Sequence, residues 1–170
     1  MASTTTLAIG VVFRRQGTLD AGHGLPFHAR TERPFHAATG EGLATLAGHS
    51  DRITAAAMSP DESTVLSASQ DHTLKLWDPE SGMELLTLKG HTGWVLACAF
   101  FPNGRMAISA GGDGTLRFWD METGEEVHSF VCLAPVYSVC VSPIQPVVCA
   151  GDSMGTVHIL CFRGGEVGYT

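Results

Sequence analysis

Ser67-Ala-Ser-Gln-Asp-His-Thr-Leu-Lys-Leu-Trp-Asp78 occurs a second time, with few changes, as Ser109-Ala-Gly-Gly-Asp-Gly-Thr-Leu-Arg-Phe-Trp-Asp120. The two copies lie 42 residues apart, and a Gly-His pair precedes each copy at the same distance, at Gly48-His49 and Gly90-His91. A fixed period of this length indicates repeated units that stack on one another. The stretch therefore predicts a repeat protein.

Short apolar runs separated by turn signals fill each repeat and predict four β-strands per unit. Ser59-Pro-Asp-Glu62, for example, carries proline at the second position of a turn, where its ring fits. The predicted strands are 53–58, 64–69, 73–77 and 83–88 in the first unit, then 94–100, 106–110, 115–119 and 126–130 in the second, with an outer strand at 43–46 before them.

A third unit begins at Pro135, with strands predicted at 136–141, 147–150 and 156–160. It lacks the markers of the other two, because no Gly-His precedes it and Leu160 stands where they have tryptophan. Cys149 aligns with their serine, and the alignment leaves one extra residue in the turn at 151–155. The strands of this unit are expected, but its internal polar network is not.

The Gly-His start and Trp-Asp end of each repeat resemble the WD-repeat β-propeller family. The resemblance covers about 43–170 and implies an all-β fold, a partial β-propeller of about three four-stranded antiparallel blades. The blades are expected at 43–88, 89–130 and 131–170, after an N-terminal leader at 1–42 that is expected to be flexible.

The resemblance also implies a hydrogen-bonded tetrad in each clear repeat, on His49, Ser67, Asp71 and Trp77 and on His91, Ser109, Asp113 and Trp119. An aspartate in a tight turn can accept hydrogen bonds from turn amides and from a histidine ring, and serine can relay between histidine and indole. The same residue types form catalytic triads. Here the serine is mid-strand, no nucleophile elbow surrounds it, and the set occurs twice, so we predict structural tetrads and no enzyme.

Propellers of this family bind partners through loops on one face, at three positions per blade. Carried over residue by residue, these positions are Arg52, Thr54, Gln70, Trp94, Leu96, Gly112, Pro135, Tyr137 and Asp152. Trp94 is the strongest candidate, because arginine, tryptophan and tyrosine dominate binding hot spots. The alternatives are packing on a neighbouring blade for Trp94, a solvated charge for Arg52 and a core position for Tyr137.

The charge of the chain limits the classes of partner that it is expected to bind, and its cysteines indicate the cellular compartment. The net charge is −7, and residues 45–170 hold six basic against fourteen acidic residues, so direct nucleic-acid binding is not expected. The five cysteines form no CxxC, which favours thiols in a reducing compartment, with the cytoplasm expected and the nucleus as the alternative. No apolar run has the length of a membrane span. His23, His28 and His36 match no zinc spacing, so neither metal nor cofactor is expected.

These features predict a non-enzymatic scaffold that presents propeller-face loops to a protein or peptide partner. The alternatives are the sensor part of a large ATPase-type multidomain protein and a substrate-recruiting ubiquitin-ligase adaptor. Such adaptors often carry arginine two positions after Trp-Asp, where this chain has Glu80 and Glu122. Three blades leave the propeller open. Closure is expected from a longer parent chain, from self-association through open blade edges, or from strands within 1–42.

Overall fold

A computed structural model describes residues 45–163 and 166–169, and side-chain surroundings within the range 45–161. The predicted leader at 1–42 lies outside these residues. The described part is built of strands and turns alone, as the sequence predicted. Within it, no helix has the length and hydropathy that crossing a membrane requires.

Twelve strands form three antiparallel sheets of four, each a simple up-and-down meander in chain order. These three blades confirm the predicted partial propeller. The first blade contains β1 (Ile53–Met58), β2 (Val65–Ser69), β3 (Thr73–Trp77) and β4 (Glu84–Lys89). The second contains β5 (Val95–Phe100), β6 (Met106–Gly111), β7 (Thr115–Asp120) and β8 (Glu126–Val131). The third contains β9 (Val136–Val141), β10 (Val147–Asp152), β11 (Val157–Arg163) and β12 (Glu166–Tyr169), of which β12 was not predicted.

The Trp-Asp end of each clear repeat also makes the hairpin that follows it. The Asp120 carboxylate accepts hydrogen bonds from the amides of Glu122 and Thr123 at 2.8 and 2.9 Å. Gly124 then turns the chain with a φ of 75°, a left-handed conformation that glycine adopts without a steric penalty. Asp78 and Gly82 repeat this arrangement in the first blade, which explains why the two repeats share these residues.

The pairing register corrects the sequence alignment of the third blade. Val95 pairs with Gly111 beside a β-bulge, and Val136 pairs with Asp152 beside the same kind of bulge. Asp152 is therefore equivalent to Gly111, and the predicted extra residue in the turn at 151–155 is wrong. Ala150 occupies the position of the tetrad serine, because it pairs with β11 as Ser109 pairs with β7. The assignment of this position to Cys149 was therefore also wrong.

The period shortens from 42 to 41 residues because one residue is missing before the third blade. β8 ends at Val131, and the next residue, Cys132, already occupies the position equivalent to His91. The missing residue is therefore the glycine of the Gly-His pair.

The core lies between the blades rather than within one of them. Between the first two blades, the buried side chains include Leu66, Leu74, Leu76, Val95, Ala107 and Trp119. Between the second and third, they are Ile108, Leu116, Phe118, Val136, Val148 and Leu160. The same repeat positions supply both clusters, so the second blade buries one apolar face against the first blade and the other against the third. This burial is the main favourable term in folding.

One predicted element is not found where it was expected. Thr45 and Leu46, the described half of the predicted outer strand at 43–46, lie in no strand. Such a strand would be the fourth strand of a preceding blade. None of the described residues supplies that blade, and a strand without a partner leaves its backbone groups unpaired.

Removal of the Phe118 side chain tests the position of the core. Phe118 is fully buried between two blades, so Phe118→Ala is expected to lower the free energy of unfolding by about 3–5 kcal/mol through lost burial and a new cavity. Val127→Ala, on an exposed position of β8, is the control and should change it by less than about 0.5 kcal/mol. Urea unfolding measures both. Equal losses in the two variants would contradict an inter-blade core.

Candidate functional site

A directional chain of hydrogen bonds joins the four tetrad residues of the first blade. The Trp77 indole N–H donates to Ser67 Oγ at 2.8 Å, and the Ser67 hydroxyl donates to His49 Nε2 at 2.7 Å. His49 Nδ1–H then donates to Asp71 Oδ2 at 2.8 Å. The histidine proton is placed on Nδ1 because this tautomer gives every group in the chain a partner.

The second blade repeats this chain with nearly the same distances. Trp119 donates to Ser109 Oγ at 2.8 Å, and Ser109 donates to His91 Nε2 at 2.7 Å. His91 Nδ1 lies 2.9 Å from Asp113 Oδ2. The structure thus brings together all eight residues of the two expected tetrads. Among the described residues, no buried side-chain polar atom lacks a hydrogen-bond partner.

The aspartate at the end of each tetrad fastens two loops as well as the histidine. Asp113 accepts from the amide of Thr92, which follows the Gly-His pair, at 2.9 Å. It also accepts from the amide and hydroxyl of Thr115 at 3.0 and 2.8 Å. Asp71 is bound in the same way by Ser50 and Thr73. The two threonines were not identified from the sequence, although both follow the turn aspartate by two residues.

These contacts keep the aspartates ionised. Burial acts to raise the pKa of Asp113, but hydrogen bonds from Thr115 and Thr92 and the nearby His91 outweigh it and lower that pKa to about 2. The pKa of Asp71 is likewise lowered to about 2, because bonds from Thr73, His49 and Ser50 outweigh the effect of burial. Burial lowers the pKa of His91, which therefore stays neutral beside its charged partner.

The tetrads have the residue types of a catalytic triad but not its accessibility. Both serine side chains are buried, and each accepts the indole N–H that fixes it in place. A substrate would have no path to either hydroxyl. Burial also raises the pKa of the Cys98 thiol to about 12, which keeps that thiol protonated and unreactive. Within the described residues, no three His, Cys, Asp or Glu side chains are placed to hold a metal ion, and His23, His28 and His36 lie outside them.

The third blade replaces the tetrad with apolar groups. Its four equivalent positions are held by Cys132, Ala150, Met154 and Leu160. A different pair ties its turn to its third strand. Asp152 accepts from the ring Nε2 of His158 at 3.0 Å, and from the amides of Met154 and Thr156 at 2.9 Å each.

Asp152 is therefore a correction to the predicted partner-binding set. Its side chain is buried and fully engaged within its own blade. Bonds from the Thr156 amide and from His158 lower the pKa of Asp152 and hold it ionised there. The position equivalent to Gln70 and Gly112 is occupied by Ser153, which is exposed. Sequence reasoning missed Ser153 because it placed an extra residue in this turn.

A backbone hydrogen bond repeated in each blade builds the predicted partner face. The amides of Gln70, Gly112 and Ser153 donate to the carbonyls of Arg52, Trp94 and Pro135, at 2.8, 2.7 and 2.9 Å. Each bond joins the loop before a blade's first strand to the turn between its second and third strands. Arg52, Trp94 and Pro135 are all exposed at these equivalent sites. We call this surface, made of these six residues together with Thr54, Leu96 and Tyr137, the loop face.

The remaining loop-face positions differ in what their side chains contact. The Thr54 hydroxyl donates to the carbonyl of Val95 at 2.5 Å, so it links the first blade to the second. Leu96 is half-buried. Trp94 and Tyr137 are 53% and 59% exposed, which excludes core packing for both. The largest aromatic surfaces of the loop face are therefore open to solvent.

Comparison with known families agrees with the repeat pattern. The family described as WD domain, G-beta repeat, matches the chain at residues 40–78 and 82–120. Domains of this family generally mediate protein–protein interactions, and its members are generally non-enzymatic scaffolds. The chain has no significant match among curated proteins.

Asp113→Ala tests the structural importance of the tetrad. The change leaves the His91 N–H and the bound loop amides without their acceptor, so the free energy of unfolding should fall by about 1–3 kcal/mol. Asp51→Ala is the control, because Asp51 is exposed and its carboxylate accepts a bond from the amide of the next residue, Arg52. Denaturant unfolding compares the two variants. An Asp113→Ala protein as stable as the wild type would refute the assignment.

The buried histidine predicts a pH dependence. Since the pKa of His91 is lowered from its ordinary 6.5, the unfolded chain binds a proton near that pH while the folded chain does not. Stability should therefore fall as the pH is lowered from 7 to 5. A second loss is expected between about pH 4 and pH 2, where Asp71 and Asp113 become protonated, first in the unfolded and then in the folded chain.

Unfolding in denaturant at pH 7 and at pH 5 measures the first loss. His91→Gln removes the titrating ring, so the difference between the two pH values should be smaller in this variant than in the wild type. An unchanged difference would show that His91 is not the group responsible.

Proposed function

The chain carries two WD repeats, and we propose that it is a non-enzymatic interaction module whose loop face binds a protein or peptide partner. The family supports the general role, and the loop face supports the location. The observation that carries the proposal is Trp94, whose indole is more than half exposed on a rigid turn. An exposed tryptophan leaves a large apolar surface in water, which a partner would cover.

The neighbours of Trp94 on the loop face suit a contact with another protein. The equivalent loop positions in the other two blades present Arg52 and Pro135, and Tyr137 adds a second exposed aromatic ring. Tryptophan, tyrosine and arginine are the residues most enriched at binding hot spots. An acidic repeat region disfavours the phosphate backbone of nucleic acid, so the partner is proposed to be a protein or peptide.

The tetrads support binding by fixing the loops before a partner arrives. Asp113 holds the Thr92 amide on one side of Trp94, and Gly112 bonds the Trp94 carbonyl on the other. A surface held this way loses little conformational freedom on binding, and a smaller ordering cost leaves more free energy for affinity. The buried serines and protonated thiol described above support a role without catalysis.

Two substitutions on the loop face test this function. Trp94→Ala removes the aromatic surface and should weaken partner binding by about 2 kcal/mol or more, roughly 30-fold in Kd, with melting within a few degrees of the wild type. Gly112→Arg should block the same site. The atoms nearest to a Cβ at Gly112 would be those of the Trp94 backbone and Leu96, at 3.6–3.9 Å, which is ordinary contact, so the fold accommodates it.

Partners captured from a cell extract by the wild-type chain are identified and purified, and their affinities are then measured with each variant. Leu85→Ala, an exposed apolar position on β4 away from the loop face, is the matched control and should bind like the wild type. Partners that bind all four proteins equally would place the interaction elsewhere and overturn the proposal.

A further inference from the structure

The two interfaces between blades use the same pair of surfaces. We call the residues that pack on the following blade the forward face and those that pack on the preceding blade the rear face. In the second blade, the forward face includes Ile108, Leu116 and Phe118, and the rear face includes Val95, Phe100, Ala107 and Trp119. The first two strands pair with the same register in every blade. A residue 42 positions away in the first blade, or 41 in the third, therefore lies on the same face as its counterpart in the second blade.

The forward face of the third blade has no following blade among the described residues. Cys149, Val157 and Ile159 stand at the positions of Ile108, Leu116 and Phe118. The second-blade residues are fully buried, whereas Val157 is 66% exposed and Ile159 is 49% exposed. The third blade therefore presents a docking surface of the kind that each of the first two blades has already used.

The rear face of the first blade is the counterpart of that surface. Ile53, Met58 and Val65 stand at the positions of Val95, Phe100 and Ala107, which pack on the first blade. Ile53 and Val65 are only half-buried, whereas their counterparts in the second blade, Val95 and Ala107, are fully buried. The described residues thus carry a forward face at one end and a rear face at the other. The forward face is exposed at Val157 and Ile159, whereas the rear face is partly covered, since Trp77, the counterpart of Trp119, is 1% exposed.

We propose that two copies of this chain associate forward face to rear face, so that the third blade of each copy packs on the first blade of its partner. The described residues of two copies supply six blades, which lies within the range of four to eight found in closed propellers. A two-fold arrangement covers the forward face and the rear face of the described blades in both copies.

The chemistry of the faces favours a second copy over an unrelated protein. The apolar positions of the two open faces repeat those that already fit together twice within the chain. The charged side chain on the rear face, Lys75, is bonded within its own blade to Glu84. The second blade has the equivalent Arg117–Glu126 pair, and its rear face still packs on the first blade.

Light scattering coupled to size exclusion tests the proposal on the full chain. The expected mass is twice 18.0 kDa. Ile159→Asp on the forward face and Met58→Asp on the rear face should each convert the dimer to a monomer, because each places a charge in both copies of the interface. Leu133→Asp, at a fully exposed loop position outside both faces, is the control and should stay dimeric. Trp94→Ala should also stay dimeric, which separates this proposal from the function of the loop face.

Fluorescence of the buried Trp77 and Trp119 reports whether each variant is folded. A wild-type chain of 18.0 kDa would overturn the proposal without any variant. A dimer that is disrupted by Ile159→Asp but not by Met58→Asp would also overturn it, because that result requires the forward face of one copy to pack on the forward face of the other. A series of larger species would show that the contact forms an open chain rather than a closed ring.

Discussion

The hydrogen-bond chain from tryptophan through serine and histidine to aspartate is the constraint on which the two clear repeats depend. It joins the third strand of a blade to the second strand, and the second strand to the loop before the first strand. It also joins that loop to the turn between the second and third strands. Each bond contributes only about 1 kcal/mol net, but a buried network is favourable only when every member has a partner. The repeats therefore keep the four residues as a set.

The third blade shows that strand pairing does not itself require this network. With Cys132, Ala150 and Leu160 at three of the four positions, no buried polar group is left in need of a partner. Replacing a whole buried network with apolar groups costs little, whereas removing one member costs the desolvation of its partners. Apolar packing against the second blade, through Val148 and Leu160, remains to hold the third in place.

Rigid blades and open ends give the molecule two kinds of surface. The loop face is polar and aromatic, and its backbone is fixed by the same bond in each blade, which suits recognition of another protein. The end faces carry apolar side chains at the repeat positions that are buried between the blades. A single repeat supplies both kinds of surface. Its loops and turns form the loop face, and alternate residues of its strands point to the forward and the rear side of the sheet.

The sequence by itself determined the all-β repeat architecture and most strand positions, because the period of 42 residues and the spacing within it are local properties of the chain. The family resemblance that these repeats carry implied both tetrads. The tertiary structure decided the register of the third blade, where no Gly-His or Trp marker remains and pairing of Val136 with Asp152 sets the alignment. It also revealed the Asp152–His158 pair and the exposure of Trp94 and Ile159. Burial depends on which blade covers a face, and that is settled only when separate segments pack together.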